Sequence, residues 1–256
     1  MAFCQMHFFS DVLVKQVGLN VILPDKQVNG QVDGGRGPFP TFYLLHGLSD
    51  DYTIWHRRTR IEWYVRDLPL IVVMPDGFRG FYTNNNEGPR YADFFTTELP
   101  NFIERIFPAK RNRAGRAIGG LSMGGYGALR IALGAPDRFI SANSHSGALL
   151  AGSKKRDEPE FGRILGADPA GSDHDLLTLA QRAKRTMNLP QLLIDCGKDD
   201  FLIDDNRAFH AALKKQKIAH EYREFPGAHD WDYWDEHVRD ALKFHARALK
   251  LKSQRT

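Results

Sequence analysis

The 256-residue chain is 42% hydrophobic and 26% charged, the balance of an ordinary globular domain, which excludes disorder, collagen and coiled coil. Thirty-five Lys and Arg against thirty-one Asp and Glu leave a formal net charge of +4, too small an excess for an electrostatic track along nucleic acid. No apolar run approaches the roughly 18 residues of a membrane-spanning helix; the best, Leu68 to Pro75, is interrupted by Pro69 and closed by Pro75.

Two cysteines, Cys4 and Cys196, cannot build a disulfide framework and are expected as buried thiols in a reducing compartment. The N-terminal residues Met-Ala-Phe-Cys-Gln-Met-His-Phe-Phe-Ser lack a basic start, a continuous apolar stretch and a cleavage signal, so a cytoplasmic location is expected.

In chain order, Val17, Leu19, Val21 and Leu23 alternate as in a half-buried strand. Gly34 to Pro38 reads as a turn between early strands. The short apolar runs Phe39 to Leu45 and Leu70 to Met74 suit central parallel strands, and Thr53 to Val65 between them reads as a helix. A helix at about Leu99 to Phe107, a strand Ala117 to Leu121 and a helix Met123 to Leu133 follow. Ile140 to Ser146 is a weaker strand candidate. Ala151 to Asp173 is a charged excursion with Gly and Pro, too short for a second domain, and reads as a cap loop. Helices at Asp173 to Arg185, Asn206 to Gln216 and Trp231 to Leu249 alternate with the strand Leu189 to Cys196 and a weaker candidate, Glu221 to Phe225. Strand and helix in alternation mean one α/β domain over residues 1–256, a mostly parallel sheet covered on both faces.

Gly120-Leu-Ser122-Met-Gly124 matches G-x-S-x-G, and its context carries the weight. It follows an apolar strand and opens a helix, as a nucleophile elbow requires. Small neighbours let strand and helix approach a serine held in a strained turn. A serine hydroxyl needs a base, and the base needs an orienting group. In the chain order of α/β-hydrolases the base follows the elbow, which removes His7, His46 and His56. His229, in Phe225-Pro-Gly-Ala-His-Asp-Trp between the last strand and the last helix, is best placed to bring an imidazole to the sheet edge. The acid should end the penultimate strand; Asp195 still lies within that strand, and Asp199, Asp200, Asp204 and Asp205 follow it. Spacing does not choose among the four that follow Gly197. Backbone N–H donors for an oxyanion are expected at Met123, directly after the nucleophile, and at Leu48, in the His46-Gly47-Leu48 turn.

Leu-Leu-His46-Gly-Leu, Ile-Val-Val-Met-Pro75-Asp-Gly, Gly120-Leu-Ser-Met-Gly-Gly-Tyr-Gly-Ala-Leu, Ser144-His-Ser-Gly-Ala-Leu and Pro226-Gly-Ala-His-Asp-Trp together resemble the esterase D-like "Putative esterase" family of α/β-hydrolases. Trp55, Thr59 to Glu62 and Tyr82-Thr83 bring the chain nearest to its tributyrin-esterase branch. The resemblance implies an α/β-hydrolase fold and a cofactor-free serine carboxylesterase acting on short-chain esters. It places the nucleophile on Ser122, the acid on Asp200, the base on His229 and the oxyanion donors on Leu48 and Met123.

Three alternatives stand beside this reading: acyl transfer to a sugar or alcohol, thioester hydrolysis as in S-formylglutathione hydrolases, and a non-catalytic binding module. The thioesterases of the family carry Thr-Cys after His-Gly-Leu, where this chain has Ser49-Asp50. The cluster His229, Asp230, Asp232, Asp235, Glu236 and His237 does not match a zinc motif, so no metal is expected. The basic runs at Lys110, Lys154 and Lys214 read as solvated surface. A small-molecule ester is the expected partner, and the pattern is compatible with a homo-oligomer.

Overall fold

The computed structural model describes residues 1–25, 27–28, 31–32, 37–155 and 158–251. The turn expected at Gly34 to Pro38 therefore lies outside the described residues up to Arg36, as does Arg156 of the basic run at Lys154.

An eight-stranded sheet organises the chain. It contains β1 (Ala2–Ser10), β2 (Lys15–Leu23), β5 (Thr41–Leu45), β6 (Ile71–Pro75), β7 (Arg116–Leu121), β8 (Ser141–His145), β9 (Gln191–Gly197) and β10 (Glu221–Phe225); β3 (Gln27–Val28) and β4 (Gln31–Val32) form a separate ribbon. The order is β1-β2-β6-β5-β7-β8-β9-β10. β1 and β2 pair antiparallel, β2 meets β6 antiparallel, and every pairing from β6 to β10 is parallel. Parallel neighbours require crossovers, and the crossover helices cover both faces.

β5 shows why its sequence is apolar without alternation. Tyr43 and Leu45 pack into the core on one face with Ile71, Val73 and Ile118, while Phe42 and Leu44 pack on the other with Val72, Met74, Trp55 and Val238. The outer strand β1 is absent from the pattern reading, and it changes the environment of β2. With β1 on one edge and β6 on the other, β2 is an inner strand. Val17, Leu19 and Val21 pack into the core on one face and Ile22 into the core on the other, so Val17 to Ile22 are buried throughout, not half-buried as their alternation suggests. Ile140 to Ser146, weak in sequence, contributes a fully buried strand between β7 and β9.

The helices are α1 (Ile54–Arg58), α2 (Ile61–Val65), α3 (Tyr91–Asp93), α4 (Leu99–Ile106), α5 (Met123–Gly134), α6 (Pro159–Leu165), α7 (Leu176–Arg185), α8 (Ile203–Lys215) and α9 (Trp231–Ala248). A single helix over Thr53 to Val65 does not form. Thr59 is extended, its hydroxyl donates to Trp55 O at 2.5 Å and accepts from the Ile61 amide at 3.2 Å. That side chain competes with the helical ladder and splits it into α1 and α2. Between α3 and α4 the chain takes a π-helical turn, Phe94–Glu98.

The excursion after residue 151 carries α6 and folds onto the 79–87 segment. Arg79 donates to both oxygens of Glu160 at 2.6 and 2.8 Å, and the Asn86 and Glu87 amides donate to Ile164 O and Arg163 O. Both cysteines are free thiols; Cys196 is buried and Cys4 only half-buried. No helix among the described residues is long and apolar enough to cross a membrane.

Candidate active site

The loops that leave the C-terminal ends of β5, β7, β9 and β10 carry the five residues singled out by sequence. Ser122 is the single residue between β7 and α5, at φ +52° and ψ −116°, a region that costs a non-glycine residue about 1–3 kcal/mol. Its amide donates to His145 O at 2.9 Å, and its carbonyl accepts from Ala148 N and Tyr126 N. The turn is possible because Gly124 has no side chain: a Cβ there would lie 2.6 Å from the carbonyl oxygens of Leu45 and His46. The same close approach sets the end of β5 against the first turn of α5.

That contact brings the second donor loop to the serine. A Cβ built on Gly47 would sit 3.9 Å from Ser122 Cβ and 2.9 Å from Asp50 Oδ2, so Gly47-Leu48 borders the nucleophile. His46 is buried and holds this loop from both ring nitrogens. Its Nδ1 donates to Gly47 O at 2.7 Å, and its Nε2 accepts from the Gly77 amide at 2.9 Å. The Tyr82 hydroxyl donates to His46 O at 2.9 Å. Met123 N–H, in the first turn of α5, has no intrahelical acceptor. Asp50 is partly buried; burial raises its pKa, against the pull of His46 and of a hydrogen bond from the Gly47 backbone.

The loops after β9 and β10 are tied to each other. Lys198 N donates to Phe225 O and Asp199 N to Gly227 O, and a Cβ on Gly197 would meet Gly227 O at 2.3 Å. This juxtaposition carries Asp200 to His229, whose Nδ1 donates to Asp200 Oδ2 at 2.9 Å. Asp200 is 2% exposed. Burial opposes its ionisation, yet hydrogen bonds from His229, the Leu202 amide and the Ser146 hydroxyl outweigh it and hold the carboxyl below its usual range. The His229 Nε2 forms no hydrogen bond among the described residues, Ser122 included, and is left as an acceptor. Catalytic hydrogen bonds of this kind often close only when substrate is bound.

The remaining carboxylates are accounted for elsewhere. Asp195 points beneath α9, where it accepts from His145 Nδ1 at 2.8 Å and from the Tyr233 hydroxyl at 3.0 Å. Asp205 takes Lys154, Asp204 lies beside Arg207, and Asp199 is exposed. The acidic cluster after His229 is dispersed: Asp230 caps α9 through Tyr233 N, Asp235 accepts from Arg60 N and Tyr64 Oη, and His237 faces Asp240. Of the aromatic residues near these loops, Phe81, Tyr82, Phe94 and Phe95 are core, whereas Phe78 and Phe201 are exposed, Phe201 against the His229 ring at 4.5 Å.

Sequence reasoning passed over two residues. Ser146 is buried at φ +48°, accepts from Trp234 Nε1 at 3.3 Å and supports Asp200. Trp234 also packs its ring edge-on against His229 at 4.9 Å. Ser144-His-Ser-Gly was visible as a motif, but nothing in it indicated a contact with a carboxylate 54 positions later.

Beside the elbow between β7 and α5, the loops after β9 and β10 join a carboxylate to a histidine, and residues 10–245 match the model of a family described as "Putative esterase". The chain belongs to the "Putative esterase" family. It is 33% identical to an acetyl esterase of Caldicellulosiruptor saccharolyticus over 95% of this chain and 98% of that one. A substrate-bound structure of the fluorophosphonate-binding serine hydrolase FphF of Staphylococcus aureus superposes with a TM-score of 0.86 at 32% identity, covering 95% of this chain and 98% of that one. An S-formylglutathione hydrolase (FrmB) from the same organism gives 0.83 at 33% identity, with the same coverage. The fold is that of an α/β-hydrolase, and this member of the esterase family is a serine hydrolase of carboxylic esters.

Proposed function

We propose that this esterase hydrolyses short-chain carboxylic esters through an acyl-enzyme on Ser122. The Nδ1–H of His229 is committed to Asp200, which fixes the tautomer with a lone pair on Nε2; that bond is the observation that carries the reading. Nε2 takes the proton of Ser122 as Oγ attacks the ester carbonyl, then returns it to the departing alcohol, and water repeats the cycle on the acyl-enzyme. The amides of Leu48 and Met123 receive the oxyanion, each such donor being worth about 2.7–4 kcal/mol in the transition state. Asp200 remains ionised throughout and stabilises the imidazolium. The excursion after residue 151, braced on the 79–87 segment, serves as the cap over the acyl pocket. Two free thiols support work in a reducing, cytoplasmic compartment.

Replacing Ser122 by Ala is expected to lower kcat on p-nitrophenyl acetate by about 10⁶ and to abolish labelling by a fluorophosphonate probe. Near-normal turnover or persistent labelling by that variant refutes the assignment. The likeness to an S-formylglutathione hydrolase favours a second reading as a thioesterase. Against it, Ser49-Asp50 sets a carboxylate beside the donor loop, unfavourable for an anionic glutathione thioester. Parallel turnover of S-formylglutathione and p-nitrophenyl acetate separates the two.

A further inference from the structure

The π-helical turn Phe94–Glu98, the C-terminal half of α5 and α7 border a half-open cavity of about 410 Å³, within the range of small-molecule sites. It is lined by Asn84, Asp93, Thr96, Thr97, Arg130 and Arg182, among others. Backbone π turns recur at functional sites, and neither this one nor the cavity takes part in the chemistry at Ser122. Arg130 lies eight residues beyond the nucleophile on α5, about 12 Å along the helix axis.

Arg130 is the unusual member of this lining. It is half-buried, its Nε is buried with no partner, and no hydrogen bond or ion pair reaches its guanidinium among the described residues. Burial accordingly pushes its pKa below the ordinary arginine value. The carboxylates whose charges reach it, Asp173 and Asp93, are both engaged by other cations. Asp173 is held by Arg182; Asp93 is held by Arg90 on one oxygen and by Asn84 on the other. The nearby Tyr126 hydroxyl donates to His174 O at 2.7 Å, and burial, followed by Arg130 itself, disfavours protonation of the His174 imidazole. A guanidinium withdrawn from water without a counter-charge is unfavourable, and its planar fork of donors matches a carboxylate or phosphate.

We propose that this cavity binds a small organic oxyanion, a carboxylate or a phosphate, on Arg130. The site is separate from the ester-cleaving centre and does not depend on the assignment of Ser122.

The test titrates the full-length protein with sodium acetate and, separately, sodium phosphate, each against sodium chloride at matched ionic strength. Thermal unfolding and isothermal titration calorimetry are followed together. One anion is expected to saturate and to raise Tm beyond chloride, and the anion that does so identifies the class. Arg130→Gln is expected to abolish the isotherm. Arg182→Gln, at a half-exposed side chain, frees Asp173 to pair with Arg130 and is expected to weaken binding by about tenfold. A rise in Tm shared by all three salts, or an isotherm that survives Arg130→Gln, overturns the proposal. Should Arg130→Gln fail to fold, unchanged binding by Arg182→Gln overturns it alone.

Discussion

Replacing Ser146 by Ala tests whether the support behind Asp200 contributes to catalysis. Two losses follow from the geometry. Trp234 Nε1, on a residue only 5% exposed, loses its acceptor, and a buried donor left unpaired costs about 1–3 kcal/mol of stability. Asp200 keeps His229 and the Leu202 amide at 2.8 Å but loses the third donor; a hydrogen bond to a charged group is worth about 1.5–3 kcal/mol. If that support is felt in the transition state, where Asp200 faces an imidazolium, kcat/KM falls by about ten- to a hundredfold at 1.36 kcal/mol per decade. Urea unfolding reads the first loss and p-nitrophenyl acetate hydrolysis the second. Because Ser146 acts through Asp200, the same substitution in an Asp200→Asn background is expected to leave the rate almost unchanged while still costing stability. An equal rate loss in both backgrounds, or a stability loss in the wild type with no rate loss, refutes the positioning role.

Asp200→Asn alone is expected to lower kcat by about 10⁴ with the fold retained, because the amide favours the wrong imidazole tautomer; a loss below tenfold in steady-state turnover counts against Asp200 as the acid. His245 offers a test unrelated to catalysis. It is wholly buried, accepts from Ser141 Oγ on Nδ1 and donates to Asn143 Oδ1 from Nε2, both at 2.8 Å. Burial, aided by the charge of His145, pushes its pKa from 6.5 down to about 3. Below the unfolded value the unfolded chain takes up a proton that the native state refuses, so stability falls as pH drops from 6.5 toward about 3, by about 1.4 kcal/mol per pH unit. His245→Gln is expected to remove that slope in denaturant melts across the window, and identical slopes in the two proteins rule the argument out.

Most of the architecture was legible in the residues because it rests on local rules. Short apolar runs closed by Gly or Pro mark central strands, longer periodic stretches mark helices, and the glycines around Ser122 mark a turn that few other residues tolerate. The strand β1 escaped because its residues alternate over an exposed edge with little apolar contrast, and the split at Thr59 escaped because one hydroxyl overrode a helical period.

The order of the chemical groups along the chain was determined by sequence alone: serine on the elbow, carboxylates after the penultimate strand, histidine after the last. Which carboxylate meets the histidine was decided in three dimensions. Asp195 and Asp200 are five positions apart, yet strand pairing turns one toward His145 and Tyr233, while the amides crossing from 198–199 to 225–227 bring the other to His229. Ser146 and Arg130 were likewise unreadable in one dimension. A hydrogen bond, or the lack of one, depends on what neighbouring segments bring within about 3 Å, and spacing along a chain carries no such distance across a loop.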